Sequence, residues 1–360
     1  MLLLQKITLT QFKNYGLSSF TFNQRVIGIC GLNGKGKTNL LDAIHYLCFT
    51  KSYFSKNEPL NVQFGADGFR IEGQLIADEK QYKVTAVVRA SGKKEFAVND
   101  ALYDRFSQHI GKFPCVIIAP DDVEMITGNS EERRKFIDTL LSQTDADYLQ
   151  QLIIYNKVLL QRNSLLKSFA DKGSVDMALL DVLNDQLIFP GQKIHIKRKA
   201  FAEDLIPLAA KFYSQIADTN EEINIKLVSQ LNQLSFDALL AGSIEKDMML
   251  QRTTTGIHRD DLLMLLDGKP FKLTASQGQR KSLLFALKLA EYEILKEAKG
   301  APFLLLDDVF EKLDDKRMHN LLEWVCAKNS GQVFITDTQK ERLKAALEAT
   351  GITPQIIELN

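Results

Sequence analysis

The residues best suited to chemistry in this chain lie at two places far apart in sequence. The run Gly31, Leu32, Asn33, Gly34, Lys35, Gly36, Lys37, Thr38, Asn39 fits the spacing GxxxxGK[ST] at Gly31, Gly36, Lys37 and Thr38. Small residues at those positions let successive backbone N–H groups turn toward a phosphate chain. Lys37 then reaches the β and γ oxygens, and the Thr38 hydroxyl is a ligand for Mg²⁺. The second place is Asp307-Asp308, two acids at the end of an apolar run. One carboxylate delivered to a Mg²⁺ shell (Asp307) and a second beside it that orients or deprotonates water (Asp308) would complete a site for nucleoside triphosphate hydrolysis. Alone, the acid pair is equally a helix cap or a turn; paired with the phosphate loop, the catalytic reading is favoured.

The elements that must position these groups are legible. VIGIC before the loop is a short buried strand, and Leu40, Leu41, Ile44, Leu47 and Cys48 after it recur at helical spacing. The loop therefore opens a helix, whose N-terminal dipole favours an anion. Phe303–Leu306 is the strand that ends in the acids. Just upstream, Leu283, Leu287, Ala290 and Ile294 mark one face of a long helix, with Ser276, Gln277, Gly278 and Gln279 at its start. A serine, a glycine and open N–H groups there make either a second anion site or a plain N-cap.

Composition bounds the rest. The 360 residues suffice for two or three domain-sized units; 45 % are apolar and 25 % charged, with no formal net charge. No run is long and apolar enough to span a membrane, and the N-terminus lacks the pattern of an export signal, so a cytoplasmic protein is expected. Cys30, Cys48, Cys115 and Cys326 have no metal-ligand spacing and are expected as buried thiols.

The first 115 or so residues are β-rich, with turn signals at Ser91-Gly92 and Asn99-Asp100. An antiparallel sheet flanking the phosphate loop is expected. From about 131 to 250 the pattern is helical: Tyr148, Leu152, Tyr155, Leu159, Leu166 and Phe169 keep a seven-residue rhythm interrupted by Arg162, and Pro190 and Pro207 are expected to break the next stretch into shorter helices. A hairpin is expected around Asp267-Gly268.

FKNY (Phe12–Tyr15), GLNGKGKTNLLDAIHYL, GIHRDD (Gly256–Asp261), SQGQRKSLLFALKLAE and LLLDDVFEKLD occur in one order from the first strand to beyond the acid pair. In that order they resemble the RecF family of bacterial recombination mediators, whose fold is an ABC-type ATPase head. The resemblance implies an α/β architecture: an ABC-type P-loop head with a flanking antiparallel β-sheet, residues 1–128 and 251–360, and an inserted helical lobe at 129–250. Chromosome-organising SMC proteins place a long coiled coil at that insertion; about 120 residues form a compact lobe instead. The resemblance further implies ATP and Mg²⁺ as cofactors, a homodimer in the presence of ATP, and slow hydrolysis. Each Ser276–Gln279 tip would then press on the γ-phosphate held by the partner copy. It also implies binding to DNA, as duplex, junctions or gaps, and cooperation with RecR and RecO in loading RecA. Departures from the family pattern are Ile257 for a usual proline, Glu311 for serine, Phe54 for a frequent arginine, and Asp42 for glutamate. The nucleotide-sensing glutamine of such heads has no obvious counterpart; Asp121 and Asp122 are the candidates. At the switch position after GQVFI, Asp337 or Thr338 is a candidate γ-phosphate contact.

Other readings have less support. A transporter's ATPase subunit has fewer residues between its two motifs than the roughly 270 here, and a small-molecule kinase has no use for SQGQ. A clamp in which ATP serves only as glue leaves Asp308 without a purpose. The basic runs Arg133-Arg134-Lys135 and Lys193–Lys199 are solvated helix faces or phosphate contacts. Arg259 is a DNA or phosphate contact, or the partner of Asp260 or Asp261.

Overall fold

The structure, a computed structural model, describes residues 1–172, 176–217, 221–310 and 315–359. The side chain of Phe169, and Glu311 with its neighbours through 314, lie outside the described residues. The chain divides into two compact units: Met1–Asp122 with Lys211–Thr219 and Ser276–Asn360, and Val123–Ala210 with Asn220–Ala275.

The first unit begins with β1 (Leu3–Phe12), β2 (Tyr15–Thr21) and β3 (Val26–Cys30), then α1 (Lys37–Phe49). Four strands follow, β4 (Phe69–Ala77), β5 (Lys80–Val88), β6 (Lys94–Val98) and β7 (Ala101–Leu102), before β8 (Cys115–Ile118). The second unit holds α2 (Glu124–Thr127), α3 (Ser130–Thr144), α4 (Ala146–Lys172) and most of α5 (Met177–Ala217). It continues through β9 (Ile223–Val228), α6 (Phe236–Leu250), β10 (Asp261–Leu266), β11 (Lys269–Pro270) and α7 (Phe271–Thr274). The chain then returns to the first unit with α8 (Gln277–Lys299), β12 (Phe303–Leu306), α9 (Asp315–Leu322), β13 (Val333–Asp337), α10 (Lys340–Glu348) and β14 (Gln355–Glu358).

The expected antiparallel sheet is present, in the order β2-β1-β4-β5-β6-β7. Its alternating strands bury one face, as β4 does with Phe69, Ile71, Gly73 and Leu75. The second sheet is parallel, β14-β3-β13-β12-β8, and its central strands are buried at every position, as parallel strands covered on both faces must be. Between these sheets packs α1, in contact with β4 and β5 on one side and β8 and β13 on the other. Its Leu40, Leu41, Ala43, Ile44 and Tyr46 are wholly buried, and Gly73 leaves room for Leu47, whose Cδ1 would lie 2.4 Å from a Cβ there.

The second unit differs from the sequence reading in three ways. Helix α5 runs 41 residues through both Pro190 and Pro207 without ending. Each proline removes one backbone bond, at a cost of about 3 kcal/mol. A buried stripe from Leu180 through Leu187, Ile194 and Leu205 to Ala209 outweighs that cost. The seven-residue rhythm is not interrupted at Arg162 but includes it: Tyr148, Tyr155 and Arg162 are all buried, and Arg162 pairs with Asp247 at 2.7 Å and with Thr253 and Asn184 at 2.8 Å. The pattern is also not helical throughout, since β9 pairs with β10 and, with the expected hairpin β10-β11, forms a three-stranded sheet.

All four cysteines are buried, and none is in a disulfide. Among the described residues no helix is long and apolar enough to cross a membrane.

Two histidines are locked into the first unit. His45, on α1, stacks on Phe49 at 4.4 Å, and His109 Nε2 lies 2.7 Å from the Leu47 carbonyl. Burial pushes both imidazoles from 6.5 down to about 4. A depressed histidine contributes stability that is whole above the unfolded value near 6.5 and is lost as pH falls toward about 4. The urea midpoint is therefore expected to fall steadily over that window while both rings stay neutral by NMR above about pH 5. A ring titrating near 6.5 in the folded protein would contradict the assignment.

Candidate nucleotide site

The phosphate loop leaves the end of β3 and enters α1 through Gly36, the N-cap, which has φ 99°. A side chain there would be strained and would also collide: its Cβ would lie 2.6 Å from Asn14 Nδ2 and 2.9 Å from Tyr15 Oη. Tyr15 Oη donates to the Gly36 carbonyl at 3.0 Å, and Asn39 Nδ2 donates to Asn14 Oδ1 at 2.7 Å. The FKNY turn is thus a brace for the loop, a role that spacing alone does not reveal. Leu32, Asn33, Gly34 and Lys35 are exposed, whereas Lys37 is only 5 % exposed. Its Nζ donates to the carbonyls of Gly31 at 2.8 Å and Leu32 at 3.3 Å, so the ammonium closes its own loop.

Thr38 and Asp307 meet across 269 residues of sequence: Thr38 Oγ1 lies 2.9 Å from one Asp307 carboxylate oxygen and 3.1 Å from the other. Burial pushes the Asp307 carboxyl up to about 6, opposed by hydrogen bonds from Thr336 and Thr38 and by the Lys37 charge. A hydroxyl and a buried carboxylate facing each other are hard oxygen donors of the kind Mg²⁺ takes in small number, so the pair fits that ion. Asp308 follows with φ 44° and lines a pocket with Asp307, Lys281, Phe285 and Pro120. Lys281, inside the run SQGQRKSLLFALKLAE, is not among the site residues read from the sequence.

At the start of α8, Ser276 and Gln279 form a capping box: Ser276 Oγ accepts from Gln279 N–H at 3.2 Å and Gln279 Oε1 accepts from Ser276 N–H at 2.7 Å. Ser276 and Gln277 are exposed, and Gly278 lies close under Arg317, whose Nη1 would be 2.2 Å from a Cβ there.

Several other candidates have structural partners. Asp122 accepts from the Ala119 N–H at 2.8 Å and from the Tyr53 hydroxyl. Asp337 is tied by Arg342 and by the Thr338 N–H. Asp42 is fully buried, bound by Ser52, by the Tyr53 N–H and by Lys13 at 2.5 Å, and so anchors the segment that carries Phe54. In the second unit Arg259 pairs with neither neighbouring acid: Asp260 is held by Arg198 at 2.8 Å and Asp261 by Arg133 at 2.5 Å. Arg133 and Arg198 are therefore buried ion-pair residues rather than surface charge. Of the run Lys193–Lys199, Lys193 and Lys197 face Asp147 and Asp145.

A family model described as the RecF/RecN/SMC N-terminal domain matches residues 3–358. A protein of Flavobacterium johnsoniae named DNA replication and repair protein RecF is 41 % identical, covering 99 % of this chain and 99 % of its own. The chain belongs to the RecF family. A relative of the same name from Parabacteroides distasonis is 40 % identical over 97 % of this chain and 94 % of its own. Among solved structures, RecF with ATP, described as a recombination mediator of the RecFOR pathway, matches with a TM-score of 0.85 and 32 % identity, covering 94 % of this chain and 92 % of that one. The Smc head of Pyrococcus furiosus matches at a TM-score of 0.58 and 15 % identity over 100 % of this chain and 94 % of that one, a likeness of fold. The architecture is accordingly the ATPase head shared by RecF and Smc proteins.

The loop geometry gives a direct test. Gly36→Ala is expected to lower stability by about 1–3 kcal/mol in urea unfolding, from strain at positive φ and the clash with Asn14 and Tyr15. Gly242→Ala, in the interior of α6 with nothing within 4 Å, is expected to raise it by up to about 1 kcal/mol. Equal effects at the two sites would show that the loop is not held in this form.

Proposed function

We propose that this RecF-family chain is an ATP-dependent DNA-binding clamp of recombinational gap repair that hydrolyses ATP slowly. The carrying observation is the contact of Thr38 with Asp307, which joins a phosphate loop to an acid-bearing strand end. In this reading the N–H groups of Gly34 to Thr38, with Lys37, hold the triphosphate, and the Lys37 ammonium offsets charge on the γ-phosphoryl group. Bound at Thr38 and Asp307, Mg²⁺ would supply Lewis-acid neutralisation of phosphate charge. Asp308 accepts the proton of the attacking water as its oxygen bonds to the γ-phosphorus and the bond to the bridging oxygen breaks, releasing ADP and phosphate.

The clamp is a homodimer formed on ATP, each copy presenting Ser276 to Gln279 to the triphosphate of the other. The exposure of Ser276 supports this, because its oxygen caps its own helix while its hydroxyl proton remains to donate. The head would comprise the sequence on either side of an inserted lobe. Duplex DNA, junctions and gaps are its ligands, DNA stimulates a weak ATPase, and RecR, RecO and RecA are its partners in the cytoplasm; the family's naming for DNA replication and repair supports that assignment.

Sedimentation of the pure protein tests the clamp: the mass should double with ATP and Mg²⁺ and not with ADP. Ser276→Arg should bind ATP as a monomer and fail to dimerise, and a Ser276→Arg dimer would remove the shared site from the account. Asp308→Asn should bind ATP and dimerise yet hydrolyse about 100-fold more slowly in a phosphate-release assay. Unchanged turnover would assign the water to another group.

A further inference from the structure

We propose that Thr336 is a positioning residue of the hydrolytic site, its single hydroxyl setting Asp307 and Asp308 relative to one another. The proposal rests on the hydrolytic reading above and adds a residue to it. Strand β13 lies between β3, which leads into the phosphate loop, and β12, which ends in the acids. The register pairs Leu306 with Ile335 and Ile29 with Thr336, so Thr336 stands at the tip of the strand that separates the two halves of the site.

Thr336 has no exposed surface. Its Oγ1 donates to Asp307 Oδ1 at 2.8 Å and accepts the Asp308 N–H at 2.8 Å. A hydroxyl has one proton and two lone pairs. Here the proton is committed to the carboxylate and a lone pair to the backbone of the next residue, so the two acids are held through one oxygen. The Asp307 N–H bonds the Ile118 carbonyl at 2.8 Å, which leaves the following N–H turned to the opposite side, toward β13. At Asp308 the backbone enters the left-handed region, φ 44°, unusual for a residue with a side chain. The Thr336 hydroxyl meets the N–H of that residue, at the point where the path of the Asp308 carboxylate is decided. A second tie acts on the same segment: Arg342, paired with Asp337 beside Thr336, lies 5.4 Å from the centre of the Phe310 ring. The tip of β13 thus holds Asp307 and Asp308 directly and Phe310 through Arg342 of α10.

Catalysis by a carboxylate that must meet one water is sensitive to displacements of about 1 Å, which cost roughly 100-fold. Thr336→Val keeps the shape and removes the hydroxyl. We expect its ATP turnover to fall by roughly 30- to 100-fold with ATP affinity within about threefold of wild type, and Thr336→Ser, which returns the hydroxyl, to recover the rate to within about threefold. Thermal melting monitors folding, and if Thr336→Val does not fold, Thr336→Ala carries the same comparison. Thr336→Val turning over at the wild-type rate would overturn the proposal, as would a folded Thr336→Ser as slow as Thr336→Val, or a loss of affinity that accounts for the loss of rate. Asp308→Asn measured alongside separates the two levels. If Asp308→Asn is slow and Thr336→Val is not, the positioning role alone fails; if Asp308→Asn turns over normally, the hydrolytic reading fails and takes this proposal with it.

Discussion

A hydroxyl at the start of α1 and a carboxylate at the end of β12 can meet only because β3, β13 and β12 lie side by side, parallel and in register. Parallel strands end on the same edge of their sheet, and loops leaving that edge converge there. The sheet is therefore what turns two distant stretches of sequence into one site. Its central strands carry no charged side chain until their ends, where Asp307 follows β12 and Thr336 and Asp337 close β13. Polar groups at that boundary must find partners because they are almost wholly out of water: Asp307 and Thr336 find each other, and Asp337 finds Arg342. The same burial that pushes the Asp307 carboxyl upward makes its hydrogen bonds strong.

The mouth of the site depends on α1 being immobile. Buried between two sheets, that helix presents its N-terminus at a fixed place, and its loop is braced from outside by Tyr15 and Asn14. Asp42, one turn further on, fixes the following segment through Ser52 and the Tyr53 backbone. Lys13 pairs with Asp42 and lies 5.6 Å from the Phe54 ring, so the segment that carries Phe54 receives a cation from the turn after β1.

Much of this was legible in sequence wherever the signal was local. The phosphate loop announces itself by glycine spacing, β1, β2 and β4 to β6 by alternation, and β3 and the acid pair by apolar runs. What was not legible depended on contacts between distant elements. Pro190 and Pro207 look like breaks because their local cost is fixed, whereas the buried stripe that carries α5 past them depends on cover from other helices, as Leu166, Ile244 and Met248 give Leu180. Arg133 and Arg198 look like surface charge because nothing near them in sequence reveals that Asp261 and Asp260 wait in a fold-back from far downstream. β9 is short and half polar, and only its pairing with β10 makes it a strand. Thr336 is an ordinary β-branched strand residue until the neighbouring strand brings Asp307 to it.

Those buried ion pairs also bear on how a chain of zero net charge could meet a polyanion. Arg133, Arg162 and Arg198 are spent on Asp261, Asp247, Asp138 and Asp260 inside the second unit, where an unpaired charge would be costly. The cations of that unit that face water include Arg252, Arg259, Lys226 and Lys246. Counterion release needs only a few such groups in one place, because each neutralised phosphate contributes separately. Overall charge is then a poor guide to binding. The division of cations into those held by acids and those facing water is the better one, and it becomes visible only when the fold has assigned each arginine its partner.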